Sequence, residues 1–235
     1  MSCVEALSSD LGNIFLDPQS SDIVLICQEE EIRAHKLILS ARSPVFRAML
    51  QTDMSERANG EIKINDADKD VLKEMVGYLY TAKVEEKFTK YKELLILANK
   101  YEVEELIKLC GTKVAESLND DNALQVGVFA ELHNAEDLMK ACVKYIMDNK
   151  PNSLNQNWED LVKGSPKMMA EMIRHLLDDN TATERMLKYM IRSLIQQNPK
   201  MLKTLLQQIT QKIVCRDREA FINRIERLLK ECLKM

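Results

Sequence analysis

Glycine and proline are scarce, at 6 and 5 of 235 residues. Together they fill 11 positions, under half of the roughly 12% that average proteins carry. A fibre is excluded, and the expectation is a helix-rich chain with few tight turns. The six cysteines (Cys3, Cys27, Cys110, Cys142, Cys215, Cys232) never form C-x-x-C and have no histidine pair nearby, which excludes a zinc module and favours free thiols in a reducing compartment. There is no G-x-G-x-x-G, Walker loop, G-x-S-x-G or H-E-x-x-H. His35, His133 and His175 lie far apart with no paired nucleophile, so neither catalysis nor a cofactor or metal is expected. The N-terminus lacks the basic start and apolar run of a signal peptide, and no apolar stretch approaches the ~18 residues of a membrane span. These absences predict a soluble protein of the nucleus and/or cytoplasm.

What is present is 46% hydrophobic and 30% charged residues, enough for one long domain or two short ones. Net charge is −4, with no overall basic field, which argues against a nucleic-acid partner. That figure averages two unlike parts. Thr181 to Met235 holds 12 Lys or Arg against 5 Asp or Glu, a net of +7, whereas residues 1–180 hold 21 against 32, a net of −11.

Periodicity divides the chain further. Asp22 to Cys27 is a β-branched run that reads as a strand, Gln28 to Glu31 as a turn, and Ile32 to His35 as the returning strand. Helical spacing starts at Leu37 and breaks at Ser43-Pro44, an N-cap followed by proline at the first helical position. Glu61 to Asp66 alternates at period two and predicts a third strand. Val71 to Tyr80, Tyr91 to Lys100 and Val103 to Ser117 then read as helices. Past the capping cluster Asn119 to Asn122, helices are predicted at Ala123 to Leu132, Ala135 to Asp148, Trp158 to Val162 and Pro166 to Leu177. Met168, Met169 and Met172 fit core packing, while the tail carries apolar stripes of its own, such as Met186, Leu187, Met190 and Ile191.

Ser21-Asp22-Ile23-Val24-Leu25, Ala34-His35-Lys36-Leu37-Ile38-Leu39 and Ala41-Arg42-Ser43-Pro44-Val45-Phe46 resemble the BTB/POZ signature. The resemblance continues through Ile62 to Asp66, Tyr78 to Thr81 and Leu97 to Tyr101, and is strongest toward the speckle-type POZ (MATH-BTB) group. It implies an α+β BTB/POZ domain at 1–118, a small sheet flanked by helices. An all-α BACK-like region at 119–180 and a basic amphipathic helical extension at 181–235 follow it. That group carries a MATH domain that recruits substrate, and none precedes the first helix here, so the unknown protein substrate is expected at the tail or on a paired BTB subunit.

The resemblance also implies sites. Leu7, Leu11 and Ile14 form an apolar stripe on the first helix, and with Ile38 they would close a symmetric dimer with another copy or another BTB protein. Met54-Ser55-Glu56 matches the hydrophobic-x-Glu motif by which BTB adaptors engage cullin-3, Met54 as an apolar plug and Glu56 as a carboxylate. Asp22 and Lys36 match a charged pair that lines a pocket. His35 reads as a hydrogen-bonded structural residue, and Tyr78, Tyr80 and Tyr101 as core or interface aromatics. The implied function is a dimeric, non-catalytic cullin-3 adaptor supporting ubiquitination and proteasomal degradation of recruited proteins. The alternative is a self-associating scaffold or transcriptional co-regulator without cullin.

Overall fold

The computed structural model describes residues 3–51, 60–149 and 165–178, with Arg227. The chain divides into two compact units, Met1–Glu116 and Ser117–Met235.

In the first unit, α1 (Cys3–Asn13) leads into a hairpin of β1 (Ile23–Cys27) and β2 (Glu30–Ala34). Next come α2 (Lys36–Arg42), α3 (Pro44–Gln51), β3 (Glu61–Lys63), α4 (Lys69–Thr81), α5 (Tyr91–Lys100) and α6 (Glu104–Ala115). The sheet runs β2-β1-β3, with β1 antiparallel to β2 and parallel to β3. Alternation along β1 sends Ile23, Leu25 and Cys27 into the core, where Ile32, Ala34 and Ile62 join them. Helix residues Leu39, Phe46, Leu72, Met75, Leu94, Leu95 and Leu106 complete that core.

Strand boundaries differ from the sequence expectation, by one residue at the start of β1 and the end of β2 and by more at the hairpin turn and the end of β3. The hairpin turn is only Gln28 and Glu29, so β2 starts at Glu30, where exposed glutamates occupy strand positions at the hairpin tip. β3 stops at Lys63, although buried Ile64 still donates its N–H to the Ile26 carbonyl at 2.8 Å. Scarce glycine does not mean scarce tight turns either. Leu16, Gln28, Glu29, Ala82, Glu102 and Asn134 all hold positive φ, whereas Gly60 is the one glycine that does so among the described residues. Gln28 (φ 50°) and Glu29 (φ 69°) build the primed turn that matches strand twist, where Asn-Gly is the usual choice.

The caps follow their residues. Buried Ser43 begins α3: its Oγ accepts from the Phe46 N–H at 3.2 Å and donates to the Tyr101 carbonyl at 2.7 Å. Phe46 and Tyr101 stack at 4.5 Å between centroids, so one serine and one ring pair fix α3 on the end of α5. Asp68 caps α4 by accepting from the N–H groups of Asp70 and Val71, and Lys90 lies 3.1 Å from its other oxygen. The Lys90 ammonium, more than any other group, holds the Asp68 carboxyl below its ordinary value.

The second unit stacks α7 (Ala123–Leu132), α8 (Glu136–Asn149) and α9 (Pro166–Asp178). Asn119 Oδ1 accepts from the N–H groups of Asp121 and Asn122, forming the turn that precedes α7. Gly127 permits a close approach, since a methyl there would meet Met168 Sδ at 2.8 Å and Cys142 Cβ at 3.4 Å. Glu131 accepts from the Lys167 and Met168 N–H groups at 3.0 and 2.8 Å, so a carboxylate of α7 caps the start of α9. Met168, Met169 and Met172 are buried there as core residues. The expected helix at Trp158 to Val162 and the tail from Thr181 lie outside the described residues, apart from Arg227.

Ala82, which ends α4 at φ 53°, donates its N–H to the Tyr78 carbonyl at 2.8 Å and carries a Cβ where that geometry suits glycine. Ala82→Gly is expected to raise unfolding stability by about 0.5 kcal/mol, read by urea denaturation, because relief of the left-handed strain exceeds the added unfolded-state entropy.

Candidate functional site

The candidate site is the outer surface of α1 and α2, whose inner ends converge on Tyr80 of α4. Helix α1 is attached to its own chain by Ser8, Gly12 and Phe15. Ser8 Oγ donates to the Thr81 carbonyl at 2.5 Å, and a methyl on Gly12 would stand 3.0 Å from Thr81 Cγ2. Phe15 lies against Gly77 and packs on Tyr80 at 5.1 Å between centroids.

The stripe Val4, Leu7, Leu11 and Ile14 lies about a quarter-turn around the helix from that seam. Val4 is 76% and Leu7 58% exposed, whereas Leu11 and Ile14 are half-buried. Val4 and Leu7, at the start of the stripe, therefore take little part in holding α1 to its own fold, whereas Leu11 and Ile14 are partly covered by it. On α2, Leu37 is 78% exposed and Ile38 half-buried, so the more open apolar side chain is the neighbour of the expected one.

Where α2 begins, Asp22 and Lys36 come together, though not through their charges. The Lys36 backbone N–H donates to Asp22 Oδ1 at 2.8 Å, while the Asp22 N–H bonds the Ala34 carbonyl at 3.2 Å. His35, the residue before the helix, offers no side-chain cap, so Asp22 supplies that acceptor from the start of β1. The His35 side chain is engaged elsewhere: Nδ1 lies 2.8 Å from Tyr80 Oη, and Nε2 lies 3.0 Å from Ser20 Oγ. Tyr80 Oη also accepts the His35 backbone N–H at 2.8 Å. Burial pushes the Tyr80 phenol up to about 12, with Asp22 adding to the rise and the His35 N–H opposing it.

Ser20 Oγ in turn donates to Asp17 Oδ2 at 2.6 Å. That bond is the chief cause holding the Asp17 carboxyl below its usual value, followed by the Gln19 N–H. His35 is thus a structural, hydrogen-bonded residue. The seam of Ser8, Gly12 and Phe15 and the Asp17–Ser20 turn went unnoticed in the sequence. The one signal was the second i, i+4, i+7 series on α1, which contains only one apolar side chain.

Met54 and Glu56 lie outside the described residues. Of the cysteines, Cys27, Cys110 and Cys142 are buried, and burial raises the Cys110 thiol to about 12. Among the described residues there is no cluster of three metal-ligating side chains, and no helix is long and apolar enough to cross a membrane.

The family model that describes the BTB/POZ domain matches residues 11–118, which takes in the sheet, α2 through α6 and the end of α1. This segment is a BTB/POZ domain. The mouse TD and POZ domain-containing protein 4 is 35% identical over 173 residues, 72% of this chain and 47% of that protein. The chain therefore spans about half the length of that relative. Among solved structures, the BTB domain of zebrafish PATZ1 is 21% identical, with 50% of this chain and 98% of that one covered at a TM-score of 0.40. The BTB domain of human Gigaxonin is 23% identical, with 46% and 83% covered at a TM-score of 0.37.

The BTB/POZ fold is a protein-interaction module, so the relevant chemistry of this site is surface complementarity. Within that domain the Tyr80 hydroxyl is the polar link between α4 and the β2–α2 junction. Tyr80→Phe keeps the ring contacts and leaves the His35 N–H and Nδ1 without their partner. It is expected to cost about 1–3 kcal/mol of stability, measured by urea denaturation.

Proposed function

We propose that the chain is a dimeric BTB adaptor that binds cullin-3 and supports ubiquitination and proteasomal degradation of proteins it recruits, in the nucleus and/or cytoplasm. The observation that carries the self-association half of this reading is the outer face of α1. Val4 and Leu7 stand open while a different face, Ser8-Gly12-Phe15, anchors the helix to α4. An apolar stripe exposed on an otherwise anchored helix gains by meeting its own copy across a two-fold axis, because each residue then covers its symmetry mate. Leu7, Leu11, Ile14 and Ile38 are the proposed contacts, with Val4 and Leu37 added from their exposure.

The cullin half rests on the resemblance of Met54-Ser55-Glu56 to the hydrophobic-x-Glu motif within the matched BTB segment. The region 119–180 is read as BACK-like, and the basic segment 181–235 as the place to seek substrate contacts. No catalytic step is assigned to the chain, since the ligase chemistry belongs to its partners.

Two measurements test the halves separately. Leu7→Asp with Leu11→Asp is expected to halve the mass seen by light scattering, and an unchanged mass would reject this interface. In a pull-down of purified proteins, wild type is expected to retain cullin-3 and Met54→Ala with Glu56→Ala to lose at least about tenfold in affinity, in line with loss of an interface anchor. A folded wild-type dimer that fails to retain cullin-3 would leave the scaffold reading in its place.

A further inference from the structure

The bonds among Asp17, Ser20, His35 and Tyr80 run in one direction, and a single carboxylate sets that direction. Ionised Asp17 can only accept, and it takes the Gln19 N–H on Oδ1 and the Ser20 N–H and hydroxyl on Oδ2. With its one hydrogen given to Asp17, Ser20 Oγ must accept from His35 Nε2 at 3.0 Å, so Nε2 carries the imidazole proton. Neutral His35 then has a bare Nδ1, which accepts the Tyr80 hydroxyl hydrogen at 2.8 Å. The Tyr80 oxygen in turn accepts the His35 backbone N–H at 2.8 Å. Every hydrogen in the chain is thereby assigned, and no donor faces another.

A second proton on the ring breaks that order. It must sit on Nδ1, where it faces the phenol hydrogen head-on across 2.8 Å. The phenol hydrogen has to swing away, and Tyr80 is buried at 3% exposure with no other acceptor for it among its described hydrogen bonds. The ring is half-buried, so solvent protons reach it. The titratable groups joined to the ring are Asp17 of the turn, through Ser20, and the neutral Tyr80 phenol of α4, while Asp22 at the start of β1 and Lys36 of α2 meet at the adjoining junction through the Lys36 backbone N–H.

We propose that this chain is an acid-sensitive latch: protonation of His35 ejects the Tyr80 hydrogen from its bond to Nδ1 and loosens the start of α2 from α4. Because α1 reaches the same phenol through Phe15, the loosening extends to both helices of the proposed pairing face. That outward consequence rests on the self-association reading above, whereas the latch itself does not.

The test uses the full chain. Nitrogen-15 histidine spectra at about pH 7.5 are expected to show His35 as the Nε2–H form. Hydrogen-exchange protection of the His35 and Lys36 amides, corrected for intrinsic rates, is expected to fall about tenfold between about pH 7.5 and about pH 5.5. In His35→Asn the side-chain Oδ1 keeps an acceptor near the place of Nδ1 and cannot titrate, so its protection should stay level. An Nδ1–H form at neutral pH, level protection in wild type, or an equal fall in His35→Asn would overturn the latch. Sedimentation at both pH values separates the two ideas: a monomer throughout, with the exchange change intact, rejects the pairing reading and leaves the latch standing.

Discussion

Tyr80 is buried, yet its hydroxyl must bond, because a phenol taken out of water without a partner costs about 1–3 kcal/mol. The partners in reach are the backbone and side chain of one residue, His35, at the junction of β2 and α2. That requirement fixes the end of the hairpin onto α4. The ring meanwhile packs on Phe15 at 5.1 Å, which brings the end of α1 to the same place. Three elements distant in sequence therefore take their relative positions from one side chain, and the surface they present outward inherits that placement.

The same economy recurs deeper in the domain. Ser43 caps α3 and donates to the Tyr101 carbonyl, while Tyr101 stacks on Phe46 three residues past the serine. In the second unit, Glu131 caps α9 from the body of α7. Each of these polar groups satisfies a helix terminus that has no partner within its own helix, and each ties that terminus to another element, Ser43 through the Tyr101 carbonyl and Glu131 directly. Local capping and tertiary packing are thus the same bonds, so the helices cannot shift against one another without exposing a terminus.

Much of the fold was legible because hydrophobic period and cap chemistry agree. Helices at Tyr91–Lys100 and Ala123–Leu132 carry the expected bounds, and Ser43-Pro44 marks a true helix start. What was hidden depends on backbone conformation or on contacts without a sequence period. The hairpin turn of Gln28 and Glu29 carries no glycine, so nothing in its residue types announced two positive φ angles. The seam of α1 consists of a serine hydroxyl, a missing side chain and one ring, which hydrophobic spacing does not register. For the same reason Asp22 and Lys36 were legible as neighbours but not in their manner of meeting, since a backbone N–H carries no residue signature.

These two kinds of contact also explain why the leucine stripe of α1 is open. A helix held through its apolar face would have that face buried and unavailable. Here Gly12 and Ser8 bring α1 close to Thr81 with little side-chain volume between them, and Phe15 fixes its end. Attachment through small and polar residues leaves Val4 and Leu7 outward at 76% and 58% exposure. Under the pairing proposed above, a second copy would cover apolar area on both partners at no further cost in ordering the helix. The rigidity supplied from beneath, by Tyr80 and its partners, therefore holds the outer stripe in a fixed place on the surface of the domain.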